Sequence, residues 1–173
     1  MFRTVAAICS VLLLTTMPAL RADGANSGKI TVFVDSLKNN NGVARVALFN
    51  SESSYADDNG PDQAAKAFRK GEAAIAANTA TYTFEDVPYG EYAIKFFHDE
   101  DKSGKFKLGA LGTPKVEYGF SNNVIGKFGP APYSKAKFSL DVPEYKMIID
   151  LAARPDLWKK NVKQKEQKPQ SAN

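Results

Sequence analysis

The chain has one cysteine, one histidine and one tryptophan in 173 residues, and these scarcities narrow its chemistry. Cys9 sits inside an apolar N-terminal run, so a chain that has shed this run has no disulfide framework and no thiol nucleophile. His98 alone falls short of the several His or Cys ligands that zinc usually takes. Long hydrophobic runs are missing too: Val5 to Met17 is well short of the roughly 20 apolar residues a spanning helix needs. Neither sign of charge dominates, with 23 Lys and Arg against 19 Asp and Glu, and much of the surplus lies in the last 20 or so residues. Nucleic acid is not implied.

What is present divides the chain. Arg3, the apolar run and the small residues Ala19 and Ala22 make 1–22 a secretory signal, which predicts an exported, periplasmic or extracellular protein. A short extension (23–28) precedes one domain (29–153), long enough for a single core. Residues 154–173 are rich in Lys, Gln and Pro and are expected to form a disordered basic tail. A monomer with no transmembrane segment after cleavage is expected.

Period-two alternation predicts strands at Lys29–Val34, Val43–Phe49, Thr79–Phe84, Tyr92–His98, Lys135–Leu140 and Tyr145–Ala152. Glu72–Ala77 suits a strand or a helix, and strand is favoured. Asn39 to Gly42 tolerate positive φ, so the first two strands are expected to pair as a hairpin. Pro61 to Arg69 reads as a short helix. Six or seven strands at this spacing predict an all-β fold, a single antiparallel β-sandwich with one long loop.

That loop, His98 to Asn123, concentrates carboxylates, glycines and amides. Asp99, Asp101 and Ser103 alternate and are followed by Gly104, and the carbonyl of Lys105 stands seventh, as in the first half of an EF-hand-like calcium loop. The second half departs from it, with Lys107 ninth and Ala110 where a bidentate glutamate would close the site. Glu100 or Glu117 supplies a missing carboxylate only if the loop folds back. The reading is a weak calcium site, or else an acidic turn whose side chains bond their own backbone. His98, Tyr118, Phe120, Ser121, Asn122 and Asn123 are the candidate ligand-binding residues, for a small ligand, a glycan or an envelope component. The bland alternative makes them core edge, aromatic anchors and turn caps.

The run from Phe84 to Asn123 resembles the bacterial secreted family catalogued as domain of unknown function 2141. Pro88 and Gly90, Phe97-His98-Asp99, Ser103-Gly104-Lys105, Leu111-Gly112, Pro114-Lys115 and Tyr118 to Asn123 carry the likeness, and Gly129-Pro130 and Ala136-Lys137-Phe138 extend it. The resemblance implies an exported β-sandwich, prealbumin-like or immunoglobulin-like, with no established activity. The expected role is therefore a non-enzymatic binding or structural module. Two alternatives stand beside it: a small hydrolase using His98, Asp99 and Ser121, although the nucleophile-elbow glycine is absent at Asn123, and an envelope-interaction protein acting through the basic tail.

Overall fold

The computed structural model describes residues 26–57, 64–126 and 129–153. Eight strands form a mostly β fold: β1 (Ser27–Asp35), β2 (Val43–Phe49), β3 (Arg69–Ala76), β4 (Thr79–Pro88), β5 (Gly90–Asp99), β6 (Tyr118–Phe120), β7 (Phe138–Leu140) and β8 (Glu144–Asp150). Alternation explains them. Ile30, Val32 and Val34 of β1 face inward with Val46 and Leu48 of β2, Ile94 and Phe96 of β5, and Met147 and Ile149 of β8. Each such side chain, fully buried, contributes about 1.5–3 kcal/mol of transfer free energy.

The strand order is β6-β5-β2-β3-β4-β1-β8, with β7 on β5, in one nearly closed, barrel-like sheet. The seam lies between β6 and β8. There Gly119 comes so close to β8 that a Cβ would stand 2.6 Å from Ile149 Cγ2, so the strands meet only because the residue has no side chain. A stacked Phe138–Tyr145 pair, 4.8 Å between centroids, holds β7 to β8.

A second cluster covers the outer face of β2 and β5. Phe49, Ala93 and Phe120 lie beneath two short helices, α1 (Glu52–Ala56) and α2 (Tyr133–Ala136), which contribute Tyr55 and Tyr133. With both faces covered, β5 reads as a continuous buried run from Tyr92 to Asp99.

Four expectations are corrected. The first two strands do not form a hairpin: β1 pairs with β4 and β8, whereas β2 pairs with β3 and β5. The Asn-rich segment is a crossover between the two halves. Leu37 turns into the core at 2 % exposure, and Asn78 of the β3–β4 turn fastens the crossover: its side-chain amide donates to Leu37 O (2.7 Å) and its backbone carbonyl accepts from Leu37 N (3.0 Å). Secondly, the sheet is not purely antiparallel, because β1 and β8 run parallel from Lys29↔Glu144 to Asp35↔Asp150. Thirdly, the described part of the predicted 61–69 helix is a turn leading into β3, and helix forms at Glu52–Ala56 instead. Ser51 caps it by accepting from Ser54 N at 3.3 Å. Finally, Lys135 and Ala136 end α2, and the strand predicted from Lys135 begins only at Phe138. The predicted signal and tail lie outside the described residues.

Candidate functional site

β5 ends by placing His98 and Asp99, both essentially without solvent exposure, at the mouth of the long loop. A buried carboxylate must be paired and hydrogen-bonded, and Asp99 is both. Its Oδ2 accepts from Arg45 Nε at 2.5 Å and from Gly104 N at 2.7 Å. Its Oδ1 accepts from Ser103 N at 3.1 Å and from the Ser103 hydroxyl at 3.4 Å. Arg45, projecting from β2 directly beside β5, continues to Glu72 of β3 at 2.5 Å. Burial works against the charge on Arg45, but the bond to Asp99 and the field of Glu72 outweigh it and hold the guanidinium protonated beyond its usual range.

The calcium reading meets this geometry directly. The guanidinium and the loop amides occupy the oxygens that Asp99 would offer a metal. Asp101 faces the Lys107 ammonium at 2.5 Å, and that hydrogen bond, with a second from Ser103, holds its carboxyl well below the usual carboxylate range. The lysine at the ninth loop position thus sits on one of the carboxylates that a metal would need. Lys105 contributes its backbone amide to the Ser103 hydroxyl at 3.4 Å. Among the described residues no group of three or more His, Cys, Asp or Glu is arranged to hold a metal ion. The acidic side chains of the loop bond its own backbone and the chain's own cations.

His98 is saturated as well. Nε2 donates to the Asn41 carbonyl at 2.6 Å, and Nδ1 lies 3.0 Å from Glu117 Oε2. The loop does fold back to bring Glu117 here, but its carboxylate serves the imidazole and the amide of Lys38 (3.1 Å). Three segments are thereby fastened at one point: the crossover, the end of β5 and the end of the loop. Gly42 completes the contact, since a Cβ there would lie 2.0 Å from Asp99 O, and its φ of +70° belongs to the left-handed region.

Ser121, Asn122 and Asn123 each take a different neighbour. Along one edge of β5, β7 pairs with Gly90–Tyr92 and β6 with Lys95–Phe97, so the Ile94 amide falls between them. The Ser121 hydroxyl accepts from it at 2.9 Å and donates to Ala136 O at 2.5 Å. Asn122 donates to the carbonyls of Lys135, Ala136 and Lys137 at 3.0–3.2 Å, capping α2. Asn123 donates to Ile148 O at 3.2 Å and accepts from Asp150 N at 2.9 Å, so one side-chain amide bonds to β8 as a neighbouring strand would. Both asparagines have positive φ, a conformation this residue tolerates.

No relay joins His98 to Ser121. Ser121 bonds at Ile94, four strand residues from His98 and so about 13 Å away along β5. Tyr118 and Phe120 stand in a ladder of edge-on rings: Phe97–Phe106 5.6 Å, Phe106–Tyr118 5.8 Å and Tyr118–Phe120 5.8 Å between centroids. The ladder pins the loop to the sheet, each contact adding about 0.5–1.5 kcal/mol beyond area burial.

Two cations escaped sequence reading. Arg45 looked like an ordinary outward residue of an alternating strand. Lys95 is 5 % exposed, donates to Tyr55 O at 2.7 Å and has its ammonium 4.3 Å from the Tyr55 ring centroid. A lysine inside the apolar run Tyr92–Phe97 was the available signal. Both line a cleft of about 300 Å³ with Lys70, Glu72, Phe97 and Gly104 on the outer face of β3-β2-β5.

Fold and site together define the class, an all-β domain whose long polar loop is bonded to its own sheet and crossover. The chain belongs to the family described as an uncharacterised protein conserved in bacteria, domain of unknown function 2141, which matches residues 32–148. No curated protein matches it, and no solved structure does.

Proposed function

We propose that this domain is an exported, non-catalytic recognition module whose loop 98–123 is a structural clasp. One observation carries the reading: the groups with reactive potential are consumed within the fold. Both His98 nitrogens, both Asp99 oxygens and the Ser121 hydroxyl engage the chain itself. A general base must reach its proton and a nucleophile must be approachable, and these are neither. The outer cleft, at the small end of the ligand-pocket range, has an aromatic wall and a rim of both charge signs, features that suit a small polar ligand. The two-pair join between β3 and β4 supports reading the two halves as layers of a prealbumin-like or immunoglobulin-like sandwich.

The test is ester turnover by the wild type and by Ser121→Ala, with p-nitrophenyl acetate as probe. The expected result is no turnover above buffer in either. Turnover in the wild type that disappears in a folded Ser121→Ala protein would replace this reading with the hydrolase.

A further inference from the structure

The distal part of the loop has a character unlike the clasp at its base. Residues 105–115, KFKLGALGTPK, fold into a small projecting hairpin: Leu108 bridges Pro114, Lys115 N donates to Lys107 O at 2.9 Å, and Gly109 N donates to Thr113 O at 2.7 Å. Phe106 roots it in the aromatic ladder between Phe97 and Tyr118. At its tip Leu111 is fully exposed (100 %), and Leu108 is 48 % exposed. Leu111 also holds a φ of 70°, the left-handed region that a leucine occupies at a cost. Hydrogen bonds thus hold an apolar side chain in water, in an unfavourable backbone conformation, at the end of an anchored stalk.

The charges carried by the hairpin itself are of one sign. Lys105, Lys107 and Lys115 flank the two leucines, and 105–115 contains no acidic residue. Lys107 is already paired with Asp101. An apolar tip with a lysine collar matches the interface of an anionic bilayer, where leucines enter the acyl boundary and ammonium groups stay among the headgroups. A protein pocket would accept the leucines but gives no reason for the basic collar.

We propose that the 105–115 hairpin docks the domain on anionic lipid bilayers by inserting Leu111, with Leu108 beside it, while Lys105 and Lys115 bind headgroup phosphates. This goes beyond the recognition reading and does not depend on the absence of catalysis, so ester turnover would leave it standing. It is also distinct from any binding by the basic tail.

The test must locate insertion as well as detect binding, because both ends of the full chain carry apolar or basic segments. A polarity-sensitive fluorophore is placed on Ala110→Cys in a Cys9→Ser background, which keeps both leucines. A reference label goes on Ser139→Cys, opposite Glu91 and so about 26 Å along β5 from Asp99. With vesicles containing phosphatidylglycerol, the 110 label should shift to the blue and the 139 label should not. Adding Leu111→Ser should weaken the apparent vesicle affinity read at 110 about tenfold. Lys105→Gln with Lys115→Gln should weaken it several-fold at low salt.

Three results would overturn the proposal. One is an unchanged 110 signal while the chain co-sediments with vesicles, which would assign binding to the ends. Another is an equal shift on purely zwitterionic vesicles. The third is a shift without lipid that grows with protein concentration, which would make a second copy the occupant.

Discussion

Replacing Arg45 by methionine should be among the most damaging single changes in the domain. The reason is an asymmetry of exposure: the Asp99 side chain is 1 % exposed, whereas that of Arg45 is 24 % exposed. Arg45→Met leaves a carboxylate sealed in the protein with amide donors but no cation, and breaking a buried pair from this side costs about 3–5 kcal/mol. Asp99→Asn leaves the opposite remnant. The amide oxygen still accepts from the loop, Arg45 keeps Glu72 and some water, and the cost should be nearer 1–2 kcal/mol. For a domain of this size the first variant should melt roughly 10–20 °C below the wild type and the second a few degrees below. Circular dichroism at neutral pH checks both quantities, the free-energy costs by urea unfolding and the melting shifts by thermal unfolding. The Arg45→Met, Asp99→Asn double variant should lose less than the sum of the singles, since the second change removes the charge stranded by the first. Equal losses in the two single variants, or a loss under about 1 kcal/mol for Arg45→Met, would refute the account of Asp99 as a buried charge neutralised across β2 and β5.

Millimolar calcium should leave the wild-type melting temperature unchanged relative to a chelator, because the chain's own cations and amides hold the loop carboxylates; a rise would show that a metal displaces them. Asn123→Ala removes two hydrogen bonds at the seam and should cost about 1–3 kcal/mol, with amide exchange accelerated at Asp150 and its β8 neighbours more than in β1. Asp101 has a carboxyl depressed by Lys107 and then Ser103, so its folded value lies below its unfolded value of about 3.9. Its stabilisation is therefore full above about pH 4 and is lost as pH falls toward the folded value; Asp101→Asn should flatten that limb of the acid-unfolding curve, and an unchanged curve would remove the pair from the argument.

Most strands were legible because alternation reports burial on one side, as in β1 and β8, whereas β5 was legible as an apolar and aromatic run buried on both faces. Pairing was not legible. Asn39 to Gly42 satisfies the chemistry of a tight turn, yet the same residues serve a crossover, because positive φ and amide side chains suit any abrupt change of direction. The buried Leu37 just before them was the contrary signal: a hairpin loop rarely sends its own side chain into the core. Lys135 was read as strand because the apolar alternation ending at Leu140 runs back through it, and a single helical turn is too short to impose its own period. At the site, the acidic spacing left a calcium loop and a self-bonded turn both open, and the cation on Asp99 is Arg45, 54 residues earlier in the chain. Local spacing carries no information about such a partner.

The density of polar residues in 98–123 has a structural cause that reactivity does not require. A nearly closed barrel with short β6 and β7 leaves backbone groups of β5 and β8 without a full strand beside them, and buried groups of that kind cost about 1–3 kcal/mol each if unpaired. Ser121 meets one on β5, Asn123 meets two on β8, and Asn122 closes the helix that roofs the outer cluster. Asp99, His98 and Glu117 do the same for the loop's entry and exit. Once these are assigned, what remains of the loop is 105–115, tied by Phe106 to the aromatic ladder and by Lys107 to Asp101, and it carries the exposed leucines. Surface recognition should therefore be sought at the tip, away from the residues whose chemistry first draws attention.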